Sequence, residues 1–410
     1  MGRLPEPYLM DPVRNPYVPG AGASPPELAG REDLFTQAGI VLQRALGGKS
    51  ARGFIATGLR GVGKTVVLAR VEQLAQSAGY LTCFVEAQEE KPLGATLAPY
   101  LRRMMLELDR LGAVTEQVKR GLRVLKSFAA GLRIHSDFGF SIALDVEPER
   151  GTADTGDLAM DLPDMISALG HAAQSRHTGV ALFIDEIQNL PEADLAALIM
   201  AMHRVMREGL PVVLMGAGLP HLVSMIGRAK SYAERLFEFP VLGPLAPAEC
   251  EDALRTPAER AGVDFTPEAV AEVVRITRGY PYFLQEWAYH AWNVAHGDRI
   301  LAGDIQVATE VSLTSLDGGF FRMRYARLTP REREYCQAMA ELGAGSHRSA
   351  EVAGRMGVRT QVVAPVRATL VRKGMIYSPR RGETAFTVPL FENYLHRIRT
   401  MGADLADTDD

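Results

Sequence analysis

The chain has 410 residues, 47% of them hydrophobic and 23% charged, with a formal net charge of −4. A chain of that size holds two or three domains with ample core, its composition is ordinary for a soluble globular protein, and its charge argues against wholesale coating of nucleic acid while leaving room for a locally basic domain. No uninterrupted apolar run reaches membrane-span length, no charged-then-apolar leader opens the sequence, and Cys83, Cys250 and Cys336 are isolated. A membrane protein, a disulfide framework and a Cys-x-x-Cys metal site are therefore disfavoured, and the cytoplasm is the expected compartment.

Residues 1–28 carry Pro5, Pro7, Pro12, Pro16, Pro19, Pro25 and Pro26 with few aliphatics. Such a stretch is expected to be an arm, either extended on the surface or disordered. A helix then runs from about Leu28 to Leu46, with Arg31 and Glu32 at its start. Gly53-Phe-Ile-Ala-Thr57 reads as a strand, followed by Gly58-Leu59-Arg60-Gly61-Val62-Gly63-Lys64-Thr65 and a helix that opens with Val66. Strand, G-x-x-x-x-G-K-T and helix together form a phosphate loop in its confirming context. The glycines let the backbone turn its N–H groups toward phosphate oxygens, and the helix N-terminus adds positive potential. Lys64 is placed to neutralise the β and γ phosphates, and Thr65 to offer its hydroxyl to Mg²⁺. The plain alternative is a glycine-rich turn with a chance Lys-Thr.

Tyr80–Val85 reads as a second strand, completing a βαβ unit. Residues from about 96 to 129 read as helical, with Pro99 acceptable only in a first turn. Leu132–Asp145 alternates apolar and polar residues around Asp137 and Gly139, a hairpin inserted at about 131–146. A turn-rich loop at 146–160 and a helix at 161–176 follow. Val180-Ala-Leu-Phe-Ile184 is a continuous apolar run, hence a buried parallel strand, and it ends in Asp185-Glu186. Carboxylates at a strand's C-terminal end stand where open α/β sheets bind ligands. Asp185 is expected to hold Mg²⁺ through water and Glu186 to polarise an attacking water, although a solvated acidic turn would read the same in isolation. A helix at 192–207, a strand ending Met215-Gly216-Ala217-Gly218, and residues 231–239 leading into a fifth strand complete this region.

From residue 243 the strands stop. Pro247–Ala261, Pro267–Thr277, Pro281–Ala295 and Asp304–Leu316 read as four helices, with Trp287 and Trp292 as core residues. Helices at 330–342, 349–356 and 361–373 precede a two-stranded ribbon, Met375–Tyr377 and Thr384–Val388, with a basic tip. That is a winged helix-turn-helix pattern. Residues 321–400 hold 15 Arg/Lys against 6 Asp/Glu, a balance of +9. Arg359, Thr360, Gln361, Arg367, Arg372 and Lys373 flank or lie on the third helix, and Arg380 and Arg381 cap the ribbon. This is the charge footprint of phosphate contacts to duplex DNA; a winged helix used for protein contacts is the alternative. Pro365 requires that the third helix begin near 362. The nine histidines form no ligand spacing and no Gly-x-Ser-x-Gly elbow occurs.

With these parts in this order, the chain resembles the AAA+ superfamily, in particular the origin-recognition-like and STAND-type ATPases of prokaryotes, over about residues 28–400. Gly58–Thr65 matches Walker A and Leu182-Phe-Ile-Asp185-Glu186 matches Walker B. Gly30-Arg31-Glu32 is similar to the motif that lines the adenine pocket, and Gly279-Tyr280-Pro281 to the Gly-x-Pro of a helical lid. Arg235 is placed like an arginine finger for a neighbouring subunit's γ-phosphate, though a surface arginine beside Glu234 is the commoner case. The resemblance implies an α/β P-loop NTPase core at 29–242 with sheet order 5-1-4-3-2. A helical lid at 243–316, a winged helix at 317–402 and an acidic tail at 403–410 follow. It implies ATP or ADP with Mg²⁺ as ligands, held by residues 58–66, Arg31 and Pro281, and a nucleotide-dependent homo-oligomer. Two departures stand out. The tip of the fourth strand lacks a sensor 1 Asn, Thr or Ser, and the lid shows no clear sensor 2 arginine. Both disfavour fast hydrolysis and point to a slow nucleotide switch, which the basic winged helix links to DNA regulation; the alternative is a STAND-type signalling scaffold that holds ADP or ATP and binds protein.

Overall fold

A computed structural model describes residues 9–20, 22–23, 25–89, 91–110, 115–131, 146–380 and 382–406. They group into two compact units. One comprises Arg31–Gly58 and Lys64–Leu242; the other comprises the chain up to Gly30, Leu59–Gly63 and the chain from Gly243 onward.

The first unit is a parallel sheet covered by helices. It contains α1 (Glu32–Leu46), β1 (Gly53–Gly58), α2 (Lys64–Ser77), β2 (Tyr80–Glu86), α3 (Leu93–Arg110), α4 (Glu116–Gly131), α5 (Leu158–Gln174), β3 (Gly179–Asp185), α6 (Glu192–Glu208), β4 (Val212–Gly218), α7 (Leu222–Ala229), β5 (Phe237–Glu238) and β6 (Val241–Leu242). The strand order is β2-β3-β4-β1-β5, and β6 continues the edge by pairing with β1 at Thr57 and Gly58. This is the order expected. Every residue of β1, β3 and β4 is buried, which is why these segments carry unbroken apolar runs rather than alternation. Register then fixes the chemistry: Glu86 pairs with Asp185, Ile184 with Gly216, and Thr57 with Gly218, so the C-terminal ends of four strands line up.

The helical stretch expected at 96–129 is two helices, α3 and α4. Pro99 is not a first-turn residue but the seventh residue of α3. The helix starts earlier because the Asp194 carboxylate accepts the Leu93 N–H at 2.8 Å, capping a terminus the sequence did not reveal. The hairpin expected at 131–146 falls on 132–145, outside the described residues. Leu101, Phe128, Ile166 and Leu198 are among the buried residues that weld α3–α6 onto β2–β4.

The second unit holds α8 (Pro247–Arg260), β7 (Asp264–Phe265), α9 (Pro267–Thr277), α10 (Pro281–Val294), β8 (Arg299–Ile300) and α11 (Ala302–Leu316). The four expected helices are present, with a short parallel pair, β7 with β8, that was not expected. Trp287 and Trp292 are buried, as expected, and donate to Thr309 Oγ1 at 2.9 Å and the Asp11 carbonyl at 3.0 Å.

Residues 9–20 belong to this unit. Apart from a 3-10 turn at Pro12–Arg14, capped by the Asp11 carboxylate, prolines keep them extended and leave polar groups available for bonds to other segments. Leu9 bridges His296, Met10 N–H donates to the Ala295 carbonyl at 3.1 Å, and the Asn15 amide reaches Tyr289 and Asn293 at 3.0 Å each. Tyr17 is 2% exposed, meets Phe265 edge-on and donates to the Leu254 carbonyl. Residues 9–20 are extended on either side of a 3-10 turn at Pro12–Arg14 and are anchored through a buried ring; one aromatic among the prolines supplies the burial that composition alone concealed.

A π-turn at Asp317–Phe321 and α12 (Arg322–Ala326) lead to α13 (Pro330–Glu341), β9 (His347–Arg348), α14 (Ser349–Arg355), α15 (Thr360–Arg372), β10 (Ile376–Tyr377), β11 (Glu383–Phe386) and α16 (Phe391–Ala406). Thr329 and Glu332 form a capping box on α13, at 3.4 and 2.7 Å. The expected ribbon, β10 with β11, gains a third antiparallel strand from β9. Pro365 is the sixth residue of α15, which begins at Thr360 rather than near 362. The terminal α16 was not anticipated. It runs to Ala406, past the domain boundary expected at 402, and contributes Phe391 and Tyr394 to an aromatic cluster around Phe321. No helix among the described residues is long and apolar enough to cross a membrane.

Candidate nucleotide site

β1 ends at Gly58 and α2 begins at Lys64, so the expected phosphate loop lies between strand and helix. Gly61 and Gly63 have φ of +85° and +90°, conformations that an L side chain rarely adopts; this is the physical demand behind the glycine spacing. In the first unit, Lys64 is 5% exposed and Thr65 Oγ1 donates to Asp185 Oδ2 at 2.5 Å. The first turn of α2 and the end of β3 thus meet through the two residues expected to serve a metal.

Asp185 is 3% exposed. Burial pushes its carboxyl above the usual range, against bonds from Thr65 and the Glu186 N–H and the nearby charge of Lys64, while the Glu186 charge adds to the rise. A buried carboxylate facing a hydroxyl is a pair of hard oxygen donors, suited to Mg²⁺, which would relieve the cost of the negative charge. The residues present fit the ion.

Glu186 leaves the strand in a left-handed conformation, φ +51° and ψ +39°. Left-handed backbone at a residue other than glycine is uncommon and clusters at functional sites. Its own N–H bonds Asp185 Oδ1 at 2.8 Å, and its carboxylate accepts from the Gln188 side-chain amide. Gln188 was not expected to take part. It lies on a 3-10 turn, Ile187–Asn189, and its Oε1 accepts the Leu219 N–H at 3.0 Å, just past β4. A Gln three residues beyond an Asp carries no sequence signal by itself.

Residues 27–215 match the family model described as "AAA ATPase domain", and residues 318–395 match that of "Domain of unknown function (DUF8462)". A search of the curated proteins returned no match. The solved structures similar to this chain include the Walker-type ATPase PABY2304 of Pyrococcus abyssi (14% identity, 90% of this chain and 96% of that one, TM-score 0.54). They also include Aeropyrum pernix Orc1 in complex with DNA (18%, 91% and 94%, 0.46). A third is the Thermotoga maritima RuvB Holliday junction branch migration motor (16%, 88% and 94%, 0.43). At 14% identity the Pyrococcus likeness shows a shared fold.

Residues 27–215 are an AAA+ P-loop ATPase domain.

Within that domain, Arg31 occupies the N-cap position of α1 and makes no side-chain capping bond there. Pro281 is the first residue of α10 in the other unit. Arg235 follows the domain on a 3-10 turn, Ala233–Arg235; it is exposed and makes no side-chain hydrogen bond or ion pair among the described residues. In the second unit, residues 59–63 of the phosphate loop group with the segments beyond 243. The Arg60 carbonyl accepts from the Tyr280 hydroxyl, whose oxygen also lies 3.1 Å from the Thr387 carbonyl, and the Gly61 carbonyl accepts the Tyr282 N–H at 3.2 Å.

The basic C-terminal residues fall into two groups. Arg359, Gln361, Arg372 and Arg380 are exposed; Gln361 and Arg372 stand three turns apart on one face of α15. Arg367 instead reaches Ser378 and the Glu383 carbonyl, tying α15 to the ribbon, and Lys373 Nζ bonds Glu332 Oε2 at 2.7 Å and the Arg327 carbonyl at 3.0 Å. Arg381 lies outside the described residues.

Proposed function

We propose that the AAA+ domain binds MgATP and hydrolyses it slowly, as a switch acting on a C-terminal winged-helix domain. The observation that carries this reading is the bond between Thr65 and Asp185, beside a glycine loop and one residue before Glu186. The N–H groups of residues 59–63 and the Lys64 ammonium would hold the phosphates, with Arg31 and Pro281 bordering the base. Thr65 and Asp185 would hold Mg²⁺, which when bound supplies charge neutralisation of the phosphate oxygens. Glu186 would take the proton of the attacking water. Arg235 is the candidate finger for a neighbouring copy in a nucleotide-dependent homo-oligomer. The absence of a sensor side chain at the tip of β4 favours the slow rate.

Division into an arm at 1–28, the ATPase core at 29–242, a lid at 243–316, a winged helix at 317–402 and a tail at 403–410 is part of this proposal. The order of α13, β9, α14, α15 and the β10–β11 ribbon supports a winged helix, and exposed Arg359, Gln361, Arg372 and Arg380 support duplex DNA as its target. The internal bonds of Arg367 and Lys373 favour the second reading, a winged helix that binds protein in a signalling scaffold, because they remove two cations from the DNA-facing set.

Lys64→Ala should abolish nucleotide binding, and Glu186→Gln should keep binding while losing hydrolysis, both read by equilibrium titration with a fluorescent ATP analogue and by phosphate release. Tight binding retained by the Lys64 variant would sink the assignment.

A further inference from the structure

The tip of β4, Met215-Gly216-Ala217-Gly218, offers no polar side chain where nucleotide hydrolysis calls for one. The Ile187–Asn189 turn supplies it from another direction. Gln188 spans the gap: its Nε2 donates to the Glu186 carboxylate while its Oε1 takes the Leu219 N–H at 3.0 Å. An amide held at both ends cannot flip without losing both bonds, because its donor and acceptor ends differ. Room for it comes from Gly218, where a Cβ would stand 2.5 Å from Gln188 Oε1. The missing sensor side chain and the glutamine are therefore two halves of one arrangement.

We infer that Gln188 is a positioning residue for hydrolysis, tying the Glu186 carboxylate to the end of β4 so that one carboxylate oxygen is fixed by the amide and the other is left to receive the water's proton. This rests on the reading of Glu186 as the water-activating group. The constraint matters because Glu186 sits in a left-handed conformation on a short turn, where an untethered side chain has several rotamers and only some aim at the γ-phosphate. The transfer is a simple one: water's O–H bond breaks, its oxygen bonds phosphorus, the P–O bond to ADP breaks, and the proton goes to the free Glu186 oxygen.

The test compares full-length wild type, Q188A, Q188N, E186Q and the double variant Q188A/E186Q. Single-turnover hydrolysis of γ-labelled ATP is measured together with nucleotide Kd from a fluorescent analogue. Q188A should lower the hydrolysis rate by roughly 10–100-fold, the usual scale for losing a positioned catalytic group, with Kd changed less than about threefold. In the E186Q background, where hydrolysis is already lost, Q188A should leave nucleotide Kd within about threefold of that of E186Q. Q188N, one methylene too short to span both partners, should behave as Q188A.

Full activity in Q188A alongside an inactive E186Q overturns the tether and leaves the reading of Glu186 standing. Wild-type turnover by E186Q overturns both, and so does the absence of any wild-type hydrolysis. A parallel rise in Kd and fall in rate for Q188A would mark a merely structural role and contradict the proposal.

Discussion

Asp185 is the residue whose chemistry is most exposed to test. Its carboxyl is held above the ordinary value by burial, so in the ligand-free protein it contributes stability that is present below the ordinary carboxylate pKa and lost as pH rises through the raised one. Asp185→Asn should therefore raise the melting temperature of the metal-free, nucleotide-free protein at neutral pH. About 1 kcal/mol would appear as ~2–4 °C in a domain of this size. The same variant should lose the additional stabilisation that Mg²⁺ gives in the presence of ATP. A lower melting temperature would show that the ionised carboxylate is stabilising as it stands. The sequence named Asp185 and Glu186 through a strand end and a phosphate loop, yet it left out Gln188, because a tether is defined by two partners brought together from distant positions. No spacing rule connects residues 186, 188 and 219.

At the scale of elements, Lys373 and Glu332 tie the end of α15 to the capping box of α13 at 2.7 Å. Burial pushes the Glu332 carboxyl up, but the bonds from Lys373 and Thr329 outweigh it and hold it below the ordinary value. The stability it contributes is thus present above the ordinary carboxylate pKa and lost as pH falls through the depressed one. Lys373→Met should destabilise the C-terminal segment by about 1–3 kcal/mol, since it leaves a buried carboxylate without its cation, and should flatten the acid limb of the unfolding curve. Denaturant melts at pH 7 and pH 3 measure both effects; unchanged midpoints would show the pair to be idle. Arg359→Ala and Arg380→Ala should instead leave stability unchanged and, if DNA is the target, each reduce the salt slope of duplex binding by about 1. Arg367→Ala should lower stability, read by the same melts. α8, α9, α10 and α13 were legible because each opens on a proline. Pro99 and Pro365 misled, since each was read as a start signal while the true starts were set upstream, for Pro99 by an Asp194 cap more than ninety residues away in sequence. The terminal α16 was passed over because its neighbours read as ribbon, although Phe391 and Tyr394 give it a buried face.

For the whole molecule, one linkage joins the pieces: a ligand that binds only the folded state stabilises it by mass action, about 2.7 kcal/mol at a hundredfold excess over Kd. Saturating MgATP should raise the melting temperature of wild type and of E186Q alike, and leave Lys64→Ala where it was. The sheet order and the phosphate loop were readable because parallel strands and loop glycines obey local rules. The anchoring of the arm through Tyr17 was not, since proline content speaks of backbone and is silent about which ring finds a pocket. If Glu186 activates the water that attacks bound ATP, single-turnover hydrolysis reports it. Wild type and E186Q are each loaded with γ-labelled ATP and Mg²⁺, and bound ATP, bound ADP and free phosphate are followed over time. Equal initial loading, slow conversion by wild type and retention of intact ATP by E186Q are the predicted result. Conversion by E186Q at the wild-type rate, or failure of wild type to retain any ATP, would show that Glu186 does not activate the attacking water.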